Sequence, residues 1–328
     1  MKLWIKVVLS VFIISVLVMA GIFGSIFYEL SKINTTKISK TDENLGIKPQ
    51  VPLKKEDVPQ IINIALFGVD RRDVNEPSRS DSIIILSIDE VHKKIKMSSI
   101  MRDTYVQIKG NGKTKVNHAY AYGGPQLAIR TLNENFNLNI RNYVTVDFFK
   151  LEKIVDTIGG VTIDVKEDEL TLVNSHMIDV AAIEKKSISQ ITKAGPQTLN
   201  GLQAVAYSRI RHDAGGDFGR TERQRTVLSA LITKIQSLGM RKFPSLVSKL
   251  LPYAETSMNS MDTMKLGTKV FTQNIKILDK ERFPVDGYCR GEMIGGVWYL
   301  VADMENTVDQ FHKYIYEDIK PAHKAPLF

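Results

Sequence analysis

Five arginines fall within the eighteen residues from Ser208 to Arg225, SRIRHDAGGDFGRTERQR. A charge run usually solvates a surface, but this spacing carries more. Arg220 and Gln224 are four apart and share one face of a predicted helix start, where free backbone N–H groups also favour anions. Arg209 and Arg211 approach from the preceding segment, across a glycine-containing loop that lets backbone come close to a ligand. Planar guanidinium forks match phosphate oxygens in pairs, so a convergent set of this kind suits a pyrophosphate.

Asp70 and Asp81 lie at the ends of two predicted strands. Two carboxylates so placed suit a hard cation such as Mg²⁺ that keeps several waters, although an Asp at a strand end is more often a turn or cap residue. Lys115 leads a polar aromatic run, KVNHAYAYGG, ahead of a helix; a capped helix start with surface tyrosines accounts for it as well. His118 and His212 titrate in the range of acid–base catalysis, but a lone histidine is more often structural. Cys289 is the only cysteine, which excludes an internal disulfide framework and a cysteine-rich zinc site and leaves an inert thiol as the expectation.

Short buried strands must position these groups. Ile61 to Val69 (IINIALFGV) and Ile83 to Ile88 (IIILSI) have strand length and β-branched content, and a turn after Asp89 leads into a third strand, Ile95 to Ile100. Connections this short favour antiparallel neighbours. One edge of the sheet would then collect Asp70, Arg79, Asp81, Arg102 and Asp103. Further strands are expected at Tyr143 to Val146 and Val161 to Val165. Helices are expected at Gln126 to Phe136, Phe148 to Ile158, Asp217 to Leu238, Phe243 to Leu251, Thr263 to Gln273 and Ala302 to Tyr316. The implied class is α/β, a central mixed sheet covered by helices on both sides.

The 328 residues carry 44 Lys plus Arg against 36 Asp plus Glu, a net charge of +8, which admits nucleic acid, an anionic membrane or an anionic substrate as partner. Val7 to Tyr28 is a run of 22 residues without charge, about 33 Å long as a helix and enough to cross a bilayer. The alternative is a cleaved signal peptide ending near Val18-Met19-Ala20. Both export the rest, so nucleic acid is not expected. The predicted order is a cytoplasmic tail (1–6), a transmembrane anchor (7–28), an extracellular linker (29–59) and one catalytic domain (60–328). From His92 to Lys115 seven basic residues face one acid, Asp103, and Lys93, Lys94 and Lys96 are expected to solvate the turn opposite the phosphate edge.

The blocks NIALFGVD (63–70), SDSI (80–83), SIMRDTYV (99–106), KVNHAYAYGG (115–124), GGV (159–161) and the arginine segment resemble, in order, the motif series of the LytR-CpsA-Psr family. The resemblance covers roughly Ile61 to Leu238, with the carboxy-terminal ninety residues matching only loosely. It implies a membrane-anchored phosphotransferase of a Gram-positive-type envelope. Such an enzyme moves an anionic glycopolymer, such as wall teichoic acid or capsule, from an undecaprenyl-diphosphate carrier to peptidoglycan. By motif position Asp70 and Asp81 would hold Mg²⁺ or Mn²⁺. Arg79, Arg102, Lys115, Arg209, Arg211, Arg220 and Gln224 would grip the pyrophosphate, and Asp103 would orient Arg102 or act as a base. The lipid tail would occupy an apolar pocket. Six residues before the span leave little for a cytoplasmic partner. The competing readings are a polyprenyl-diphosphate-glycan hydrolase and a non-catalytic binder of wall polyanions.

Overall fold

The computed structural model describes residues 36–48, 61–71, 78–184, 186–211 and 216–326. The proposed anchor at 7–28 lies outside them, as does His212. Among the described residues no helix is long and apolar enough to cross a membrane.

Strands β1 (Ile61–Val69), β2 (Ser80–Asp89) and β3 (Lys94–Ile100) are antiparallel neighbours, as the short connections require. Three more complete a mixed six-stranded sheet. β6 (Asn142–Asp147) runs parallel to β1, β9 (Glu255–Thr256) runs antiparallel beyond it, and β10 (Ile277–Phe283) runs parallel to β3 at the other edge. Three two-stranded ribbons lie outside the sheet. They pair β4 (Tyr105–Ile108) with β5 (Gly112–Lys115), β7 (Val161–Val165) with β8 (Gly195–Leu199), and β11 (Cys289–Ile294) with β12 (Val297–Ala302).

Period-two alternation sends Ala65, Phe67, Val69, Ile83 and Ile85 to one face. There they pack on α2 (His118–Phe136) and α9 (Met304–Tyr316) through Ile129, Leu132, Phe136, Phe311 and Tyr314. The other face carries Leu66 and Ile84, and it is covered by α3 (Phe148–Thr157), α6 (Gly216–Leu238) and α7 (Phe243–Leu250). Farther along that face, α8 (Ser260–Thr272) brings Leu266 and Val270 against Ile88 and Ile95. α2 begins eight residues before the expected Gln126. Gly123 and Gly124 leave helical geometry ahead of Pro125, so the helix is two pieces joined at a kink.

Two expectations are corrected. Part of the expected linker, residues 36–48, packs on the domain: α1 (Asp42–Leu45) buries Leu45 in the main core, and the Asn133 side-chain amide donates to the Leu45 carbonyl at 2.8 Å. Lys96 does not solvate a turn. It is 0% exposed, its ammonium bonded to Asp89 Oδ2 at 2.9 Å and to the Ile315 carbonyl at 2.9 Å, because β3 faces α9 there and a buried cation needs such partners. Lys94 is held by Asp318 at 2.7 Å, while Lys93 is exposed. Two helices not expected from sequence, α4 (Leu170–Glu184) and α5 (Gly201–Arg209), build a second core around Val173, Met177, Val205 and Val227.

Candidate active site

The carboxyl ends of β1, β3 and β6 and the amino end of β2 meet at one edge. At that edge β2 carries a bulge: Val69 pairs with Ser80 and Gly68 with Ser82, so Asp81 is the extra residue. A bulge bends the strand and re-aims the side chain at it. Gly68 is required beside it, since a Cβ there would stand 2.8 Å from the Ser82 Cβ.

Arg102, two residues past β3, donates from Nη1 to Asp81 Oδ1 at 2.6 Å and lies 3.5 Å from Asp103 and 3.6 Å from Asp217. Burial opposes its charge, but Asp217, Asp81 and Asp103 together hold the guanidinium above its ordinary pKa. The β4–β5 ribbon folds back, bonding Val116 N–H to the Thr104 carbonyl at 2.9 Å and Asn117 N–H to the Arg102 carbonyl at 3.2 Å. That return brings the Lys115 ammonium to 2.7 Å from Asp103. On the first turn of α6, Asp217 pairs with Arg220 at 2.7 Å, and Arg220, only 2% exposed, also donates to the Asp81 carbonyl at 3.4 Å. Burial pushes the Asp217 carboxyl above the usual carboxylate range despite Arg102 beside it. Of the five residues expected at this edge, Asp81, Arg102 and Asp103 join one bonded network, together with Lys115, Asp217 and Arg220.

The remaining expected residues are not bonded into that network by any of these contacts. Arg211 is exposed as a whole, but partial loss of water around its guanidinium, with repulsion from Arg102, lowers its pKa. Arg209 ends α5 with its guanidinium 4.7 Å over the Phe148 ring. Arg79 is exposed and with Lys115 adds to burial in lowering the His118 pKa, which favours a neutral imidazole there. Asp70 follows β1 directly, its carbonyl accepting from the Ser78 hydroxyl at 3.3 Å. Asp217 was missed in the sequence as a site residue; its signal was an acid three positions before Arg220 at a helix start. Cys289 is buried, and burial raises its pKa, consistent with an inert thiol.

Asp70 and Asp81 supply hard oxygen donors of the kind a hard cation takes, and since Asp81 Oδ1 accepts from Arg102 at 2.6 Å, a cation there would draw on the other Asp81 oxygen. Two carboxylates on adjacent strand ends leave most of a coordination shell to water and phosphate, as Mg²⁺ prefers. The single cluster of three ligating groups among the described residues, Asp89, His92 and Asp318, lies at the opposite end of β2, and Lys96 already occupies its carboxylates.

Gln224, one turn after Arg220, lines an apolar pocket with Ser82 and Ser208. The pocket has a volume of about 280 Å³ and runs between the sheet and α3, α6 and α7, walled by Leu66, Ile84, Val146, Leu151, Val227 and Leu231.

The family model described as LytR_cpsA_psr matches residues 25–314. The regulatory protein MsrR of Staphylococcus aureus is 36% identical over 211 residues, 63% of this chain and 59% of MsrR, so the chain spans less than two thirds of that relative. The polyisoprenyl-teichoic acid–peptidoglycan teichoic acid transferase TagU of Bacillus cereus is 30% identical over 296 residues, 88% of this chain and 89% of TagU. Among solved structures, TagT bound to LI-WTA superposes with a TM-score of 0.66 at 26% identity, covering 86% of this chain and 98% of TagT.

Proposed function

This chain belongs to the LytR_cpsA_psr family, and from that premise we propose that it is a phosphotransferase that moves an anionic glycopolymer from a polyprenyl-diphosphate carrier to a peptidoglycan hydroxyl. The observation that carries the proposal is the junction at Gln224. On one side stands a cluster of cations and carboxylates, and on the other an apolar pocket, which together match a diphosphate bearing a hydrocarbon tail. A pocket of about 280 Å³ is at the small end for ligand sites and houses the part of a long tail nearest its phosphate. TagU, by its name, transfers teichoic acid to peptidoglycan, and the same reaction class is assigned to this chain.

Transfer needs in-line attack of the acceptor hydroxyl on phosphorus, departure of the lipid phosphate and neutralisation of charge on the phosphoryl oxygens. Arg102 is preset for the last task. Asp81, Asp103 and Asp217 fix its fork, so little reorganisation accompanies substrate binding. Asp103 is a positioning group between Arg102 and Lys115, and Asp217 performs the same service between Arg102 and Arg220. Arg79, Arg209 and Arg211 line the rim, where they meet diphosphate oxygens, and Gln224 sits where phosphate gives way to tail. Asp70 and Asp81 would hold Mg²⁺ or Mn²⁺, which would supply further charge neutralisation at the phosphoryl oxygens. The apolar run at 7–28 is assigned as the membrane anchor, with the domain on the outer side.

The test is a purified full-length chain in detergent, given a polyprenyl-diphosphate-linked glycopolymer and peptidoglycan oligomers, with and without chelator. The expected result is polymer joined to peptidoglycan through a phosphodiester, lost on chelation and restored by Mg²⁺. Free glycopolymer phosphate released in the presence of ample acceptor would overturn the reading in favour of a hydrolase. Metal-independent, salt-sensitive binding without turnover would overturn it in favour of a polyanion tether.

A further inference from the structure

The β11–β12 ribbon turns at Gly295 and Gly296 and leaves Trp298 44% exposed. An exposed tryptophan on a hairpin would normally sample several rotamers, but this one is seated. Its indole lies across Gly291 on the neighbouring strand, where an added Cβ would come within 2.8 Å of Nε1 and 3.2 Å of Cε2 and Cζ2. One ring face therefore rests on backbone while the other is offered to solvent, a use of strand glycine that fixes an aromatic plane.

The ribbon is fastened to the charged edge. Leu300 N–H donates to the Asp103 carbonyl at 3.0 Å, and Thr104 bridges to Leu300. The Lys115 ammonium, already at 2.7 Å from Asp103, stands 5.9 Å from the ring centres of both Trp298 and Tyr299. Tyr299 in turn packs on Tyr105 at 4.7 Å. Lys115 is thus shared between the network that receives phosphate and an aromatic platform beside it.

We propose that Trp298 stacks a pyranose ring of the acceptor glycan strand next to the transferring phosphorus, a reading that rests on the function assigned above. The C–H face of a sugar ring matches an aromatic plane, and its hydroxyls need a polar neighbour, which Lys115 supplies at the edge of the ring. A hydrocarbon chain is a poor occupant of a platform with charged neighbours. The apolar pocket shares no lining residue with the ribbon, so donor tail and acceptor sugar use separate surfaces. In-line displacement requires such separation, because attacking and leaving oxygens lie on opposite sides of phosphorus.

Trp4 and Trp298 are the only tryptophans, so the Trp4→Phe full-length chain in detergent reports Trp298 alone. Peptide-free glycan oligomers from peptidoglycan should quench and blue-shift its emission saturably. Trp298→Ala should raise the acceptor KM about tenfold, the ratio expected for one aromatic stacking contact, and leave donor affinity unmoved. Trp298→Phe should recover part of the acceptor affinity. Emission that ignores glycan oligomers, an unchanged acceptor KM in Trp298→Ala, or emission shifted by anionic phospholipid vesicles and not by glycan would each overturn the platform. A glycan response in a protein that transfers nothing would support the platform and remove only the assigned chemistry.

Discussion

Removing Arg102 is the sharpest perturbation of the charged edge. Its guanidinium is the centre of three carboxylates, at 2.6, 3.5 and 3.6 Å. Within the bonded network Arg102, Lys115 and Arg220 face Asp81, Asp103 and Asp217, so Arg102→Ala removes one positive charge and leaves Asp81 without its guanidinium partner. One charge-assisted contact to a phosphoryl oxygen is worth about 1.5–3 kcal/mol. An uncompensated carboxylate about 6 Å from a phosphoryl charge adds about 3 kcal/mol of repulsion at an effective dielectric near 20. Together these predict a fall of about 10³–10⁴ in kcat/KM for the donor. Arg102→Lys restores the charge without the two-pronged geometry and should recover only part of the loss. The assay is transfer by the purified chain at subsaturating donor, with thermal melting to verify that each variant is folded. A folded Arg102→Ala variant retaining more than about a tenth of wild-type kcat/KM would refute the reasoning, since so small a loss is under two kcal/mol.

Lys96→Ala should destabilise the fold by about 3–5 kcal/mol in urea unfolding, because it strands Asp89 in the interior, whereas replacing both with Met and Leu should recover most of the loss. Burial alone would raise the Asp89 pKa, but the His92 backbone N–H, Lys96 and the His92 ring together hold it below its ordinary 3.8. The stabilisation is therefore present above the unfolded value and lost as pH falls through the lower folded value. Melting of Asp89→Asn should accordingly trail wild type at neutral pH and converge with it at strongly acid pH. Leu231→Trp projects a larger ring into the apolar pocket; donor binding measured by titration should weaken about tenfold or more, with the melting temperature held or raised.

The edge was legible because it depends on local rules. Apolar runs of strand length joined by short polar turns give antiparallel order, and antiparallel order brings Asp81 and Arg102 to one end. The bulge that aims Asp81 was not legible, since nothing in the run SDSIII distinguishes a regular ladder from one with an extra residue. Lys96 was misjudged because its cage is non-local: Asp318 and the Ile315 carbonyl arrive from more than 200 residues away, and no window around β3 contains them. The segment 36–48 looked like a tether for a similar reason, its mixed charge and short apolar stretches concealing one anchoring leucine. α4 escaped notice because the stripe it buries, Val173, Met177, Val180 and Ala181, is blurred in sequence by apolar residues off that stripe, Ile178 among them at 52% exposure. The pocket lining could not be read from sequence at all, because it is assembled from seven elements spread over nearly 190 residues.

The docking of residues 36–48 has a mechanical consequence. Thr36 N–H already bonds to the Thr256 carbonyl at 3.1 Å, so the domain begins there and not near Gln60. Under the proposed anchor at 7–28, eight peptide steps would lie between Tyr28 and Thr36, a reach of at most about 29 Å at full extension. A domain so moored would work close to the lipid headgroups, in the plane to which a polyprenyl-linked donor would also be confined.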